Sequence, residues 1–321
     1  MKLITLFDTS IASENVGDFI IMDAVREQLE ELVTVNQIIT LPTHDNFGCE
    51  GQRFLKLSEF SLVGGTNLLS SNLLKYKQWK FSMADLYYLD KAILMGVGWW
   101  QYQDKPDFYS RAVWKRVLNN NMLHSVRDSF TEKQLKSIGV NNVINTSCPT
   151  MWKLTSEHCK DIPRSIGKSV VFTLTDYNKD IEADSELIKV LQNNYEHISY
   201  WPQGSGDVSY FHDLVGNNEY KIELLSPNLS SLNQALRKPN VDYVGTRLHA
   251  GIRALQNKVR TVIIGIDNRA LEKSRDFNLM VLERKKIIEL DKLINSEFVT
   301  DILLPIDNIN KWKSQFSEYQ K

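Results

Sequence analysis

One stretch constrains this chain more than any other: residues 241–267, VDYVGTRLHAGIRALQNKVRTVIIGID. Residues 241–244 and 261–266 are apolar, β-branched runs of strand length, and between them Leu248, Ile252 and Leu255 recur at helical spacing. A strand–helix–strand unit of this kind closes right-handed, with its strands parallel. In open parallel sheets, ligands sit at the carboxyl ends of the strands, where helix N-termini point. Thr246, Arg247 and His249 fall at that corner. Thr246 can cap the helix, Arg247 can hold an anion, and His249 titrates near neutral pH. These are the first candidates for chemistry.

The rest of the chain follows the same β/α grammar. Residues 2–7 read as a buried strand leading to Asn15-Val16-Gly17-Asp18, and Ile21, Val25, Leu29 and Leu32 then mark one face of a helix. Gly17 permits close approach and the helix N-terminus favours an anion; the alternative is a tight turn capped by Asp18. Residues 33–40 suggest a second strand and 42–52 a polar surface loop. Residues 60–63 end in Gly64-Gly65-Thr66-Asn67, where the glycine pair either permits positive φ or leaves room for a ligand. Residues 92–97 end in Gly98-Trp99-Trp100, whose indoles suit a sugar platform or core packing. Residues 122–126 lead to Arg127-Asp128, either an anion pocket or a pair that ties down the turn. Ser129-Phe130-Thr131-Glu132 then reads as a capping box.

After a strand at 143–149, the polar segment 155–167 with Pro163 and Gly167 is the expected linker. The second half offers a strand at 169–175, a helix at 183–191 and a strand at 198–201, followed by the loop Pro202-Gln203-Gly204-Ser205-Gly206-Asp207. A helix at 229–236 precedes the central stretch, and a loop with Arg269, Lys273 and Arg275 follows it. Residues 287–294 and 308–316 read as closing helices. The predicted fold class is α/β. Two Rossmann-like, doubly wound domains, residues 1–160 and 161–321, are expected to face each other across a cleft. By the strand-end rule, Asn15, Gly17, Asp18, Gly64, Gly65 and Arg127 would line one side, and Gln203, Arg247, His249 and Arg275 the other.

Composition removes several classes of function. A length of 321 residues suits two domains. A formal net charge of -1 argues against bulk nucleic-acid binding. No apolar run approaches the roughly 18 residues that span a bilayer. Residues 3–7 run straight into Asp8 without the pattern of a signal peptide, so a cytoplasmic protein is expected. Three cysteines without C-x-x-C spacing indicate neither a disulfide framework nor a zinc site. No H-x-x-x-H or clustered carboxylate motif asks for a metal, and no G-x-G-x-x-G asks for a dinucleotide. Nothing in the sequence sets an oligomeric state.

Taken together and in order, four pieces resemble the polysaccharide pyruvyl transferase family. They are the N-x-G-D turn at 15–18, the V-G-G turn at 63–65, the V-R-D-S turn at 126–129 and the R-L-H-A corner at 247–250, with the basic segment 269–275 behind. The R-L-H-A corner is the most specific piece. The resemblance covers most of the chain and implies a fold similar to the GT-B glycosyltransferases. It also implies transfer of pyruvate from phosphoenolpyruvate to two hydroxyls of a cell-surface saccharide or its precursor, giving a cyclic ketal. Phosphoenolpyruvate is then the donor substrate, and no cofactor or metal is implied. In bacteria the acceptor is often carried on a polyprenyl lipid, which would bring the protein to the inner face of the membrane. No strong amphipathic basic helix stands out for such a contact, although Lys285 and Lys286 precede a short apolar run. Two pieces depart from the family pattern and bear on the acceptor: Gly96-Val97-Gly98-Trp99-Trp100-Gln101 stands in place of a G-x-G-x-G-P turn, and Cys148-Pro149 in place of D-P.

A donor with adjacent phosphate and carboxylate needs cationic forks, which arginine supplies bidentately. Arg127 and Arg247 are the candidates, with Arg275 third, and His249 is the candidate acid–base group. Asn15, Gly17, Asp18, Gly64, Gly65 and Gln203 are candidate substrate contacts. Two rival readings remain: a GT-B glycosyltransferase that uses a nucleotide sugar, and a non-catalytic saccharide-binding protein of the same fold.

Overall fold

The computed structural model describes residues 1–216 and 221–320. The chain divides into two compact units. The first takes Met1–Ser13, Ile21–Trp152 and the chain from Leu304 onward; the second takes Glu14–Ile20 and Lys153–Leu303.

The first unit contains β1 (Leu3–Asp8), most of α1 (Val16–Leu32), β2 (Gln37–Pro42), α2 (Gly48–Leu57), β3 (Ser61–Gly64), β4 (Ala92–Met95), α3 (Phe108–Val117), β5 (His124–Val126), α4 (Ser129–Ser137) and β6 (Val143–Asn145). Its strands pair in parallel in the order β2-β1-β3-β4, and β5 pairs in parallel with β6. A parallel bridge, Val97 to Val126, links the exit of β4 to β5. Successive strand residues point to opposite faces. Thus Phe7, Val63 and Leu94 enter one core cluster with Trp114, while Leu6, Leu62 and Ile93 enter another with Ile21, Val25, Leu29 and Leu32. Both faces are covered, which is why these strands read as continuous apolar runs.

The second unit contains α5 (Ser156–Lys160), β7 (Ser169–Thr173), α6 (Ile181–Asn194), β8 (His197–Tyr200), α7 (Asp207–Val215), β9 (Ile222–Leu224), α8 (Leu229–Leu236), β10 (Val241–Gly245), α9 (Leu248–Gln256), β11 (Arg260–Gly265), α10 (Asn268–Phe277), β12 (Val281–Glu283) and α11 (Leu290–Ile294). Among the described residues its sheet is wholly parallel, in the order β12-β11-β10-β7-β8-β9. The chain starts at β7, winds outward through β8 and β9, then restarts on the other side with β10. The switch point therefore lies between the carboxyl ends of β7 and β10, where α/β sheets place ligands.

Several elements differ from the sequence expectation. The surface loop at 42–52 contains the start of α2, which has no side-chain cap at Phe47 and so gives little N-terminal signal. The segment after β11 is not a loop: Asp267 caps it and it forms α10. Part of the expected linker is helical, as α5 with Thr155 as cap. The last helix, α12 (Ile306–Ser314), returns to the first unit rather than closing the second. There Trp312 meets Trp152 at 5.8 Å between ring centroids, and Phe316 meets Phe60 at 5.6 Å. The division at 160/161 thus misses this returning segment, because its apolar stripe matches a surface far away in sequence. Among the described residues no helix is long and apolar enough to cross a membrane.

Candidate functional site

The switch point of the second unit carries a buried charge cluster centred on Arg247. Arg247 follows β10 and is the N-cap residue of α9. Its Nε donates to Leu174 O at 3.0 Å and to Asp207 Oδ2 at 3.1 Å. Its Nη2 donates to Asp176 Oδ1 at 2.9 Å and to Asp207 Oδ1. Among the described residues its Nη1 makes no hydrogen bond. Asp176 stands past the end of β7, and Asp207 opens α7 after the glycine loop that leaves β8.

Asp207 is the hub of this corner and is fully buried. Besides Arg247 it accepts from Gln203 N at 2.9 Å, Gly204 N at 2.8 Å and Asp176 N at 3.1 Å. Burial pushes its carboxyl above the usual range, against the pull of Arg247 and the backbone donors. Two carboxylates on one guanidinium leave the cluster with more negative than positive groups, and burial is what holds the Asp207 carboxyl up.

Glycines clear the space for this packing. A Cβ on Gly204 would lie 2.6 Å from Arg247 Nη2, and one on Gly206 would overlap the Asp176 carboxylate. A Cβ on Gly17 would lie 2.7 Å from Gln203 Nε2. The glycines of 203–207 therefore admit side chains from two other segments, Arg247 after β10 and Asp176 after β7, and Gly17 in turn admits Gln203. Tyr177, 60% exposed, holds its ring 5.1 Å from the Arg247 guanidinium carbon, and its hydroxyl accepts from Arg269.

In the first unit, Arg127 follows β5 and is also buried. Its Nε lies 3.3 Å from Asp128 Oδ2, and its guanidinium crosses the face of Gly98, where a Cβ would overlap it. Asp128 Oδ1 meanwhile accepts from Thr131 N at 2.8 Å and caps α4.

A family model of polysaccharide pyruvyl transferases matches residues 15–268, which span both corners. The chain belongs to the polysaccharide pyruvyl transferase family. This is a family of transferases. No curated protein matches the chain. Among solved structures, the UDP-GlcNAc 2-epimerase of Methanocaldococcus jannaschii, in complex with UDP-GlcNAc and UDP, aligns at a TM-score of 0.56 and 10% identity, covering 97% of this chain and 100% of that one. The S. aureus MnaA–UDP structure aligns at 0.54 and 12% identity, covering 99% and 98%. Identities this low speak for the fold alone, which is of the GT-B class.

For this pyruvyl transferase family member, the sequence candidates sort as follows. Asn15, Gly17, Gln203 and Arg247 come together in the second unit. Gln203 Nε2 donates to Asn15 Oδ1 at 2.8 Å, and Val16 N donates to Gln203 O at 3.0 Å. Asn15 Oδ1 also accepts from Gly17 N at 3.0 Å, so Asn15 performs the turn-closing role expected of Asp18. Asp18 is buried in the first turn of α1. Gln203 Oε1 is buried and has no hydrogen-bond partner among the described residues. His249 is buried in the first turn of α9. Thr246 does not cap that helix; its hydroxyl pairs with Thr175 Oγ1 at 2.7 Å.

Other candidates are placed differently. Gly64 and Gly65 face α1: a Cβ on Gly64 would lie 3.0 Å from Met22 Sδ, and one on Gly65, at φ +47, would overlap Ile21. Their smallness lets helix and strand approach, which is a packing role. Arg275 lies in the last turn of α10, largely exposed, paired with Glu272 and Asp276. Arg269, the second residue of α10, is the arginine of that segment that reaches Tyr177, the neighbour of Asp176. Trp99 is core, with Nε1 donating to Ser71 Oγ and Gln103 Oε1 at 3.1 Å each. Trp100 rests on Tyr76 at 4.4 Å between centroids. Asp207, Asp176 and Tyr177 escaped the sequence reading. The one available signal for Asp207 was its position at the end of a G-S-G loop, just before a helix.

Proposed function

We propose that this chain transfers pyruvate from phosphoenolpyruvate to two hydroxyls of a saccharide, forming a cyclic ketal and releasing phosphate. The observation that carries this reading is the family match together with the R-L-H-A corner at the β7/β10 switch point. In the proposed reaction, protonation of the donor's methylene carbon leaves an oxocarbenium-like carbon, which one hydroxyl attacks. The carbon–oxygen bond to phosphate breaks, and the second hydroxyl closes the ring. Of the two hydroxyl protons, one replaces the proton given to the methylene carbon and the other leaves with phosphate or the base.

His249 is the proposed acid–base group. Arg247 is the proposed donor anchor, though in a narrower role than the sequence suggests. Its Nε and Nη2 are committed to Asp207 and Asp176, so Nη1 and the N-terminus of α9 are the donors that remain to face an anion. Arg127 stays a candidate anion-binding residue of the first unit. The acceptor is proposed to be a cell-surface saccharide or its precursor, lipid-linked or free, and no cofactor is needed for the scheme.

The test is phosphate release from phosphoenolpyruvate in the presence of saccharide acceptors, with thermal shift by phosphoenolpyruvate, uridine diphosphate and guanosine diphosphate alongside. A ligand at about 100 times its dissociation constant adds about 2.7 kcal/mol of stability. Stabilisation by phosphoenolpyruvate, with acceptor-dependent phosphate release, is expected. Stabilisation by a nucleotide alone would favour nucleotide-sugar chemistry instead.

A further inference from the structure

We infer that one face of the first unit, built from residues 72–116, docks on an anionic lipid bilayer. This inference goes beyond pyruvyl transfer and does not depend on it.

Four large apolar side chains stand out on this face: Leu74, Met83, Tyr87 and Phe108 are 73%, 67%, 76% and 85% exposed. Leu74, Met83 and Phe108 cluster, and Tyr87 lies beside the far end of α3. Leu74, Lys77, Met83 and Tyr109 line one cavity of about 120 Å³. Tyr109 Oη donates to Met83 Sδ at 3.1 Å, and Phe108 precedes Tyr109 at the start of α3. Arg116, on the same helix, donates to Tyr87 O at 3.4 Å. On α3 itself, Phe108, Arg111 and Lys115 are exposed at spacings of three and four, while Val113, Trp114 and Val117 are buried. The outward stripe of α3 is therefore an aromatic tip followed by basic residues.

Charge selects the occupant. Within residues 72–116 eight exposed Lys or Arg stand against two exposed Asp, in a chain whose formal net charge is -1. A second copy of the same face would set like charges against each other. A single-stranded nucleic acid would use the aromatics as stacking platforms but leave Leu74 and Met83 facing phosphate. An anionic bilayer uses all of them: the apolar tips enter the headgroup–acyl boundary, the lysine stems snorkel, and their ammonium groups meet lipid phosphates.

The test is co-sedimentation of the full chain with phosphatidylcholine vesicles, with and without phosphatidylglycerol, at low and high salt. Two double variants at exposed positions probe the two ingredients: Leu74→Ser with Phe108→Ser, and Lys75→Glu with Lys77→Glu. Both should unfold at the wild-type temperature. Binding to the phosphatidylglycerol vesicles is expected to exceed that to neutral ones by at least about tenfold and to fall with salt. Each double variant should lose about tenfold. No binding, equal binding to neutral vesicles, or variants that bind like wild type would overturn the inference. So would a dimer in solution that either double variant splits, or displacement by a single-stranded oligonucleotide with the serine variant unaffected.

Discussion

β10 has a buried arginine–aspartate cluster near each end, and the two are built on opposite plans. At its start, Asp242 pairs with Arg260 Nη1 at 3.0 Å. The other guanidinium donors go to backbone carbonyls: Nε to Arg164 O, and Nη2 to Ile294 O and Ser296 O. Asp242 is matched in turn by Gly167 N at 3.2 Å and Tyr195 Oη at 2.9 Å. One positive charge meets one negative charge, and backbone groups with the Tyr195 hydroxyl satisfy the rest. Past the other end, Arg247 meets two carboxylates and one carbonyl, with glycines pressed around it and the exposed Tyr177 beside it. A matched, saturated pair holds a fold together. A pair with a surplus carboxylate at strand carboxyl ends is the one to which the proposed function assigns donor binding.

The comparison can be broken most forcefully at its structural end. Arg260→Leu should leave Asp242 buried without its cation and cost about 3–5 kcal/mol of stability, measured by urea unfolding. Replacing Asp242 by leucine as well should recover much of that loss. An unchanged urea midpoint for the single variant would mean that the pair at the start of β10 is not structural.

At the functional end the expected signature is reversed. His249→Ala should cut turnover by about 100- to 10,000-fold while the unfolding midpoint moves little. Turnover near wild type would remove His249 from the acid–base role.

His124 sharpens the contrast from the first unit, as a buried titratable group that works without a counter-charge. Its Nδ1 accepts from Leu94 N at 3.3 Å and its Nε2 donates to Asn119 O at 2.8 Å, an arrangement that needs the neutral ring. Burial pushes its pKa down to about 4. The unfolded imidazole titrates near about 6.5, so between these values the unfolded chain holds more protons. Stability should be full above about pH 6.5 and fall as the pH drops towards about 4, by about 3 kcal/mol at most. Urea midpoints at about pH 7 and about pH 5 should differ more for wild type than for His124→Gln. Parallel behaviour of the two proteins would contradict this assignment.

The smallest expected effect overall is the most local. Gly204→Ala puts a methyl group 2.6 Å from Arg247 Nη2, and the end of the guanidinium must move. A loss of about 1 kcal/mol in stability is expected, with donor binding weakened about tenfold. Donor affinity equal to wild type would separate the glycine loop from the site.

Much of this was readable before any coordinates. The β10–α9–β11 unit announces itself because its strands are buried on both faces and its helix repeats apolar residues at helical spacing. α2 does not, because Phe47 offers no capping side chain and the segment is polar. The strand-end rule located the corner and its arginine, but Asp207 and Asp176 lie 40 and 71 residues from Arg247 in sequence. No local pattern states such a pairing. For the same reason Arg247 read as an uncommitted fork, and α12 read as part of the second half. Gly64 and Gly65 were ambiguous in sequence because clearance for a ligand and clearance for a helix leave the same residue.

The most direct measurement is calorimetric titration of phosphoenolpyruvate into wild type and Arg247→Lys, with uridine diphosphate as the control ligand. Lysine keeps the charge between Asp176 and Asp207 but lacks the planar fork. Phosphoenolpyruvate should bind wild type more tightly than the nucleotide does, and at least about tenfold more weakly to Arg247→Lys. Equal binding by both proteins, or binding of the nucleotide alone, would contradict a phosphoenolpyruvate site at the R-L-H-A corner.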